Sequence, residues 1–314
     1  MSKVACIGEC MIELKQAEGG LFSRFYGGDT LNTAIYLARL GTEVDYITAL
    51  GDDTLSEEML AGWAAEGVGT AKVLRLSGKL PGIYMIETDD RGERRFFHWR
   101  ESSAARSLMD LPETDSILKS LASYDLVYLS AITLSLYNAS GRGRLVAALR
   151  NARKAGARIA FDTNFRSRGW PDLDIARVGY RDAFEAADIA LASTEDLLPL
   201  YAGESDDGLM ARIPSPEAVL KLSIPASIVR YKSASHEVRA DPVTRPVVDT
   251  TAAGDSFAAA YIAARLAGAE PVDAACAGHR LASVVVCHPG AIIPRSAMPA
   301  NMLPSLAASH KASV

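Results

Sequence analysis

The run Val248-Asp249-Thr250-Thr251-Ala252-Ala253-Gly254-Asp255-Ser256-Phe257 constrains this chain more than any other stretch. A short apolar strand is predicted to end at Asp249, and an alanine-rich helix to run from Ala253 to Ala267, packed closely on a sheet. Small residues at a helix start let backbone N–H groups approach an anion, and the helix dipole adds positive potential at the same point. A cap alone would need only one Asp, Ser or Thr. Here a carboxylate, Asp255, stands inside the first turn, where a phosphate would dock. It would repel that phosphate unless it handles a proton instead. The arrangement suits phosphoryl transfer, in which amides hold the developing charge and a carboxylate takes the proton of an attacking hydroxyl. On spacing alone, a capped core helix fits equally well.

The rest of the chain alternates strand and helix signals. Lys3 to Gly8 reads as a buried parallel strand, and Val44–Leu50, Leu126–Ser130, Arg158–Phe161 and Ile189–Ala192 as further strands. Helices are predicted at about 29–40, closed by Gly41, and at Thr54–Glu66, Gly143–Lys154, Leu173–Ala186, Thr194–Tyr201 and Pro271–Val286. The rhythm predicts a doubly layered α/β domain with a mostly parallel sheet. It breaks at 82–88 and 93–100, two strand signals flanking Asp89-Asp90-Arg91-Gly92, a hairpin turn. With strand signals at 9–14 and 22–26, this hairpin predicts a separate small sheet, a lid over the ligand crevice. Residues 203–225, with three prolines, read as loop plus one helix. Ile228–Arg230 is predicted as a strand and Ser235–Ala240 as its hairpin partner.

Ligands in open parallel sheets sit beyond the carboxyl ends of the strands. Asp162, Asn164 and Arg166 lie at one such end and Ser193 at another. The pair Gly27-Gly28 before a helix is a second place where a ligand can meet bare backbone, although a plain turn also accounts for it. Arg166 would serve equally as a surface ion-pair partner, and Tyr84 and Trp99 as hairpin packing.

A net charge of −5 argues against nucleic acid or an anionic membrane as partner. No apolar run approaches membrane-spanning length. The start of the chain lacks the features of a signal peptide, so the cytoplasm is expected. The cysteines Cys6, Cys10, Cys276 and Cys287 do not complete a zinc set and read as small apolar residues. No Gly-x-x-x-x-Gly-Lys-Ser/Thr loop, Gly-x-Gly-x-x-Gly fingerprint or Gly-x-Ser-x-Gly elbow is present.

Taken together, Ile7-Gly8-Glu9-Cys10-Met11-Ile12-Glu13-Leu14, Gly27-Gly28-Asp29-Thr30-Leu31-Asn32-Thr33, Leu80-Pro81-Gly82-Ile83-Tyr84, Gly92-Glu93-Arg94, Trp99-Arg100, Asp249 to Phe257 and Gly290-Ala291-Ile292-Ile293-Pro294-Arg295 resemble the ribokinase-like (phosphofructokinase-B type) sugar kinases. The resemblance is strongest to members acting on a keto-deoxy sugar acid, and it spans nearly the whole chain. It implies a three-layer α/β/α domain over 1–304, with lid strands from about 9–26 and 82–100 and a loose tail at 305–314. The implied reaction is ATP-dependent phosphorylation of 2-dehydro-3-deoxy-D-gluconate at its 6-hydroxyl. The cofactors would be ATP and Mg2+, with room for a monovalent cation, and two copies could pair through the lid. The alternatives are a fructokinase or ribokinase activity, or a non-catalytic sugar-acid binder on the same scaffold.

By that resemblance Asp255 is the base, and Ala252, Ala253 and Gly254 form the anion hole. Gly28, Asp29 and Asn32 contact the sugar, as do Tyr84, His98 and Arg100 from the lid and Arg166 from the main sheet. Asn164, Ser193, Arg230 and Lys232 fall on the nucleotide side, and no metal ligands are assigned. An acid substrate explains two arginines, because the guanidinium fork matches a carboxylate. Three departures stand out. His98 replaces the usual Tyr, Ser193 replaces a frequent Asn, and Arg230-Tyr231-Lys232-Ser233-Ala234-Ser235 lacks the glycines of the family's Lys-x-Gly-x-x-Gly.

Overall fold

The computed structural model describes residues 2–88, 94–243, 245–300 and 302 of the 314. In chain order, β1 (Lys3–Ile7) leads to β2 (Met11–Gln16) and β3 (Phe22–Gly27), then to α1 (Asp29–Arg39), β4 (Glu43–Gly51) and α2 (Thr54–Ala65). Two short strands, β5 (Val68–Gly69) and β6 (Val73–Leu76), precede β7 (Ile83–Thr88) and β8 (Arg94–Trp99). There follow α3 (Thr114–Ser120), β9 (Leu126–Ser130), α4 (Ala131–Ser135), α5 (Ala139–Lys154), β10 (Arg158–Asp162), α6 (Leu173–Ala186), β11 (Ile189–Ser193), α7 (Thr194–Leu197) and α8 (Asp206–Ala211). The chain continues through β12 (Glu217–Lys221), β13 (Ala226–Tyr231), β14 (Ala234–Arg239), α9 (Ala253–Leu266) and α10 (Pro271–Val285).

The main sheet runs β14-β13-β12-β11-β10-β9-β1-β4-β5, with β6 also paired to β4. It is parallel from β12 through to β5, and β13 turns antiparallel at one edge. Its central strands are nearly continuous apolar runs because both faces are covered. Ala5, Ile7, Val127 and Leu129 point into a cluster with Leu145 and Leu149 of α5 and Tyr180 and Phe184 of α6. Their neighbours Val4, Cys6, Leu126 and Tyr128 point the other way, onto Leu31 and Tyr36 of α1 and Tyr261 and Ile262 of α9. Three layers result, as expected. The smaller sheet, β3-β2-β7-β8, is mixed, with β2 parallel to β7 and the other pairs antiparallel. It supplies the expected lid, and Glu13, Tyr84 and His98 lie in one row across it.

Two contacts set the position of α9. A Cβ on Gly278 would fall 2.7 Å from the Phe257 ring, so only glycine lets α10 approach α9 this closely. At the far end, buried Glu217 of β12 accepts hydrogen bonds from Tyr261 Oη (2.7 Å) and from Nε and Nη2 of Arg265 (2.9 and 2.8 Å).

Several expectations need correction. No strand ends at Asp249, residues 245–249 being unpaired as strand; Val248 and Asp249 instead both donate to the Val286 carbonyl. The stretch read as loop plus one helix holds α8 and also β12, a strand inside the main sheet. The helix expected over Thr194–Tyr201 is the single turn α7, and α5 starts four residues before its expected position. The hairpin turn at 89–92 and the tail at 305–314 lie outside the described residues.

Candidate active site

Ala252, the N-cap of α9, takes the left-handed conformation (φ 60°, ψ 15°), which is uncommon for a residue with a Cβ. The turn is anchored from below. Buried Asp249 accepts from the N–H and hydroxyl of Thr251 with Oδ1 (3.0 and 2.6 Å) and from Gly290 N–H with Oδ2 (3.1 Å). The Ala253 amide closes on the Thr250 carbonyl (3.2 Å) and that of Ser256 on Ala252 (2.9 Å). Among the described residues, the amides of Gly254 and Asp255 make no protein hydrogen bond. An oxyanion at this helix start would meet both, together with the helix dipole.

Asp255 sits at the mouth of this turn. Its Oδ2 accepts from Asn32 Nδ2 (2.8 Å), and its carbonyl from the Thr33 hydroxyl (3.3 Å), which ties α9 to α1. Burial raises the proton affinity of this carboxyl well above the usual carboxylate range. The charge of Asp29 adds to that, the Asn32 hydrogen bond opposes it, Asp162 reinforces it and Lys221 opposes it. A carboxylate so placed is a stronger base than a solvated one. Gly28 is required for steric reasons. Its Cβ would stand 2.4 Å from the Glu9 carbonyl oxygen, so the start of α1 presses on the β1–β2 link. Asp29 accepts from Asn164 Nδ2 (2.8 Å), which joins the α1 start to the end of β10.

The lid brings its own group. Tyr84 donates to Glu13, and the His98 ring stacks on Tyr84 with centroids 5.9 Å apart. Burial pushes the His98 imidazole pKa down, helped by Arg100 and Arg168. Arg100 is paired with buried Glu9, which also accepts from the Ser103 hydroxyl. Arg100 Nε and Asn32 Oδ1 are buried and without a partner among the described residues, leaving one free donor and one free acceptor. Arg166 is 62% exposed, bonds the Phe165 carbonyl (2.7 Å) and stands 3.8 Å from Asp196. Glu9 and Glu13 were visible in the sequence, but their partners lie 71 and more residues away.

The nucleotide-side expectations divide. Ala252, Ala253, Gly254 and Asn164 are together with Asp255. Ser193 is at its strand end, but its hydroxyl is committed to Asp196, donating to Oδ2 (2.7 Å) and accepting from the amide (3.1 Å). Arg230 and Lys232 are elsewhere. Tyr231 pairs with Glu217 at the start of β12, whereas Lys221 marks its end, so the β13–β14 turn is at the opposite end of the strands from Asp255. The Arg230 guanidinium is occupied by the carbonyls of Met210 and Ser215 (2.8 and 3.0 Å). Lys221 takes the place expected of them. Its Nζ lies 3.6 Å from Asp162 Oδ2, 5.9 Å from the centre of the Phe257 ring and 3.5 Å from where a Cβ on Gly254 would be. The apolar centre of β12, Ala218-Val219-Leu220, was the available signal, and Pro214, Pro216 and Pro225 masked it.

Beyond Phe257 a cavity of about 740 Å³ opens between residues 239–243 and α10, lined by Arg239, Arg245, Cys276, His279 and Arg280 among others. His279 stands edge-on to Phe257 (5.0 Å) and shares a hydrogen bond with Ser227 Oγ (2.9 Å). Among the described residues no cluster of three or more His, Cys, Asp or Glu could hold a metal ion by itself, and no helix is long and apolar enough to cross a membrane.

A sequence profile described as pfkB family carbohydrate kinase matches residues 1–298. The chain is 44% identical to the 2-dehydro-3-deoxygluconokinase of Dickeya dadantii (strain 3937), over 95% of this chain and 98% of that protein. It is 40% identical to the protein of the same name from Escherichia coli (strain K12), over 95% and 99%. Among solved structures, the fructokinase with bound ATP from Xylella fastidiosa superimposes with a TM-score of 0.80 at 24% identity, covering 95% of each chain. The 2-dehydro-3-deoxygluconokinase of Thermotoga maritima does so with a TM-score of 0.79 at 22% identity, over 93% and 96%. At such identities these superpositions establish the fold.

Proposed function

This chain belongs to the pfkB family of carbohydrate kinases, and from that premise we propose that it transfers the γ-phosphoryl group of ATP to the 6-hydroxyl of 2-dehydro-3-deoxy-D-gluconate. The observation that carries the reading is a pair of unengaged amides, Gly254 and Asp255, beside a carboxylate of raised proton affinity.

The residues present suit ATP. The unengaged amides and Lys221 offer positive charge for the phosphates, and the cavity past Phe257 has room for a base and ribose. Magnesium would arrive on those phosphates, since the described residues offer no cage of their own, and it supplies charge neutralisation on the transferring group. Asp255 takes the proton of the sugar hydroxyl, and Asn32 fixes the orientation of the carboxyl. The free Asn32 Oδ1 accepts from a sugar hydroxyl. At the lid end, the free Nε edge of Arg100 and the exposed guanidinium of Arg166 receive the substrate carboxylate. The lid excludes water, so the sugar is phosphorylated in preference to solvent. Its exposed aromatic residues provide a surface through which two copies pair.

The test is a coupled assay with ATP and Mg2+ on the keto-deoxy acid, fructose and ribose. The acid should be preferred in kcat/KM. Arg100→Ala should raise KM for the acid roughly 10- to 150-fold, the equivalent of one charge-assisted hydrogen bond of about 1.5–3 kcal/mol. It should change kcat and the constants for neutral sugars little. Preference for a neutral sugar would reject the acid as substrate, and an equal loss on all three would reject Arg100 as the group that holds its carboxylate.

A further inference from the structure

We propose that Asp162 is a positioning residue for the transfer reaction, tethering Lys221 at the rim of the anion hole and placing a second carboxyl group near Asp255. The inference rests on Asp255 being the base. Asp162 closes β10 and is only 3% exposed. Its neutral partners are the Tyr128 hydroxyl, which donates to Oδ2 (3.4 Å), and the Asn164 amide, which donates to Oδ1 (3.3 Å). An asparagine side-chain oxygen could accept either of them. A buried carboxylate is costly where a neutral group would do, so the charge itself needs a reason.

Two reasons lie within reach of the carboxylate. The first is Lys221, whose Nζ is 3.6 Å away and which overhangs the first turn of α9 at Gly254. Lysine has a flexible four-carbon stem. Held by Asp162 it waits beside the unengaged amides, and without that hold it would sample open solvent. The second is Asp255. The groups that face it are Asp29 and Tyr36 from α1, Tyr84 from the lid, Tyr128 from β9, Asp162 from β10 and Lys221 from β12. The four tyrosine and aspartate elements divide simply: the phenols stay neutral in the working range, their pKa values all being pushed up by burial. The charge balance at the base is thus two aspartates against one lysine. Asp29 is further committed to Asn164. Asp162 therefore adds to the basicity that burial and Asp29 give Asp255, and it sets where the opposing lysine sits.

The experiment compares Asp162→Asn with Lys221→Met, using the pH dependence of kcat/KM for the sugar acid at saturating ATP and Mg2+. Loss of Asp162 should move the ascending limb to lower pH by at most about half a unit to one unit, the size expected for one charge removed from a partly buried neighbourhood, with the freed Lys221 offsetting part of that shift. Its KM for ATP should rise severalfold. Loss of Lys221 should also raise KM for ATP but move the limb the opposite way, to higher pH. A merely structural Asp162 would lower melting temperature or turnover with the limb unmoved, and that result overturns the proposal. So does a change confined to Mg2+ requirement. Should Asp162→Asn not fold, Lys221→Met decides alone, an unmoved or downward limb being fatal. Failure of the base assignment is recognised separately, by Asp255→Asn retaining turnover.

Discussion

Asp255 is held where its ionised form is least comfortable, and that sets stability against function at a single residue. Burial and Asp29 raise its proton affinity in the folded chain, so the folded state binds this proton more tightly than the unfolded one. Folding stability from this group is therefore greatest below the unfolded carboxylate pKa of about 3.9, and is lost as pH rises through the raised folded value. Asp255→Asn should accordingly cut turnover by about 10²–10⁴-fold, the usual range for a general base, yet melt at a higher temperature than the parent at pH 8. The gap should close as the pH is lowered towards 4. Thermal melts across pH, run beside the assay, check both halves; a variant less stable at pH 8 would mean that Asn32 and the ionised carboxylate stabilise the fold on balance. Residues of this kind were readable from the sequence because their signal is local. Gly28 and Asp255 stand in short runs of small residues at helix starts, where bare amides and an in-place carboxylate are visible in ten letters. Lys221 was not readable, because its meaning comes from Asp162, 59 positions earlier, and from a strand hidden among prolines. The resemblance puts Arg230 and Lys232 on the nucleotide side, but the register of β13 on β12 sends their hairpin to the other end of the sheet.

At the scale of elements, the site depends on how firmly α9 is pinned to β12, since one carries Asp255 and the other Lys221. The clamp is at the end remote from the chemistry: Glu217 receives Arg265 through two nitrogens and Tyr261 through its hydroxyl, all largely buried. Removing one partner of a buried ion pair leaves the other uncompensated and typically costs about 3–5 kcal/mol. Glu217→Ala should therefore destabilise by about that amount in urea unfolding. A cost under about 1 kcal/mol would mean that Arg265 finds other acceptors, its Nη1 already reaching the Ala269 carbonyl. Elements with a long period were legible: the bounds of α6 follow directly from its apolar spacing and its Asp172 cap. The segment before Asp249 was not. It is apolar enough to read as a strand, but Val247 and Val248 are more than half exposed and the amides of 248 and 249 share one carbonyl beyond the end of α10. Pairing, which decides strand from coil, is a tertiary fact.

At the scale of the whole molecule, the lid is a four-stranded sheet whose edge strand β8 pairs only with β7 among the described residues. On one of its faces Ile12, Leu14, Tyr26 and Ile83 pack against the main domain, while on the same face Phe97 and Trp99 of edge strand β8 are 39% and 56% exposed. An apolar edge left open invites another strand or sheet, and aromatic side chains are the residues that interface cores favour. A second copy related by a twofold axis would present the same edge and bury both. The expectation is a dimer in sedimentation velocity at micromolar concentration, shifted toward monomer by Phe97→Glu. Phe97 lies on the face opposite Tyr84 and His98, so the substitution should leave ATP binding intact. It should raise KM for the sugar, because Arg100 and Tyr84 hang from a lid that dimerisation would hold steady. A monomeric parent at tens of micromolar would remove that support, and the lid would then have to be ordered by the substrate alone, through Arg100 and the ion pair it already makes with Glu9.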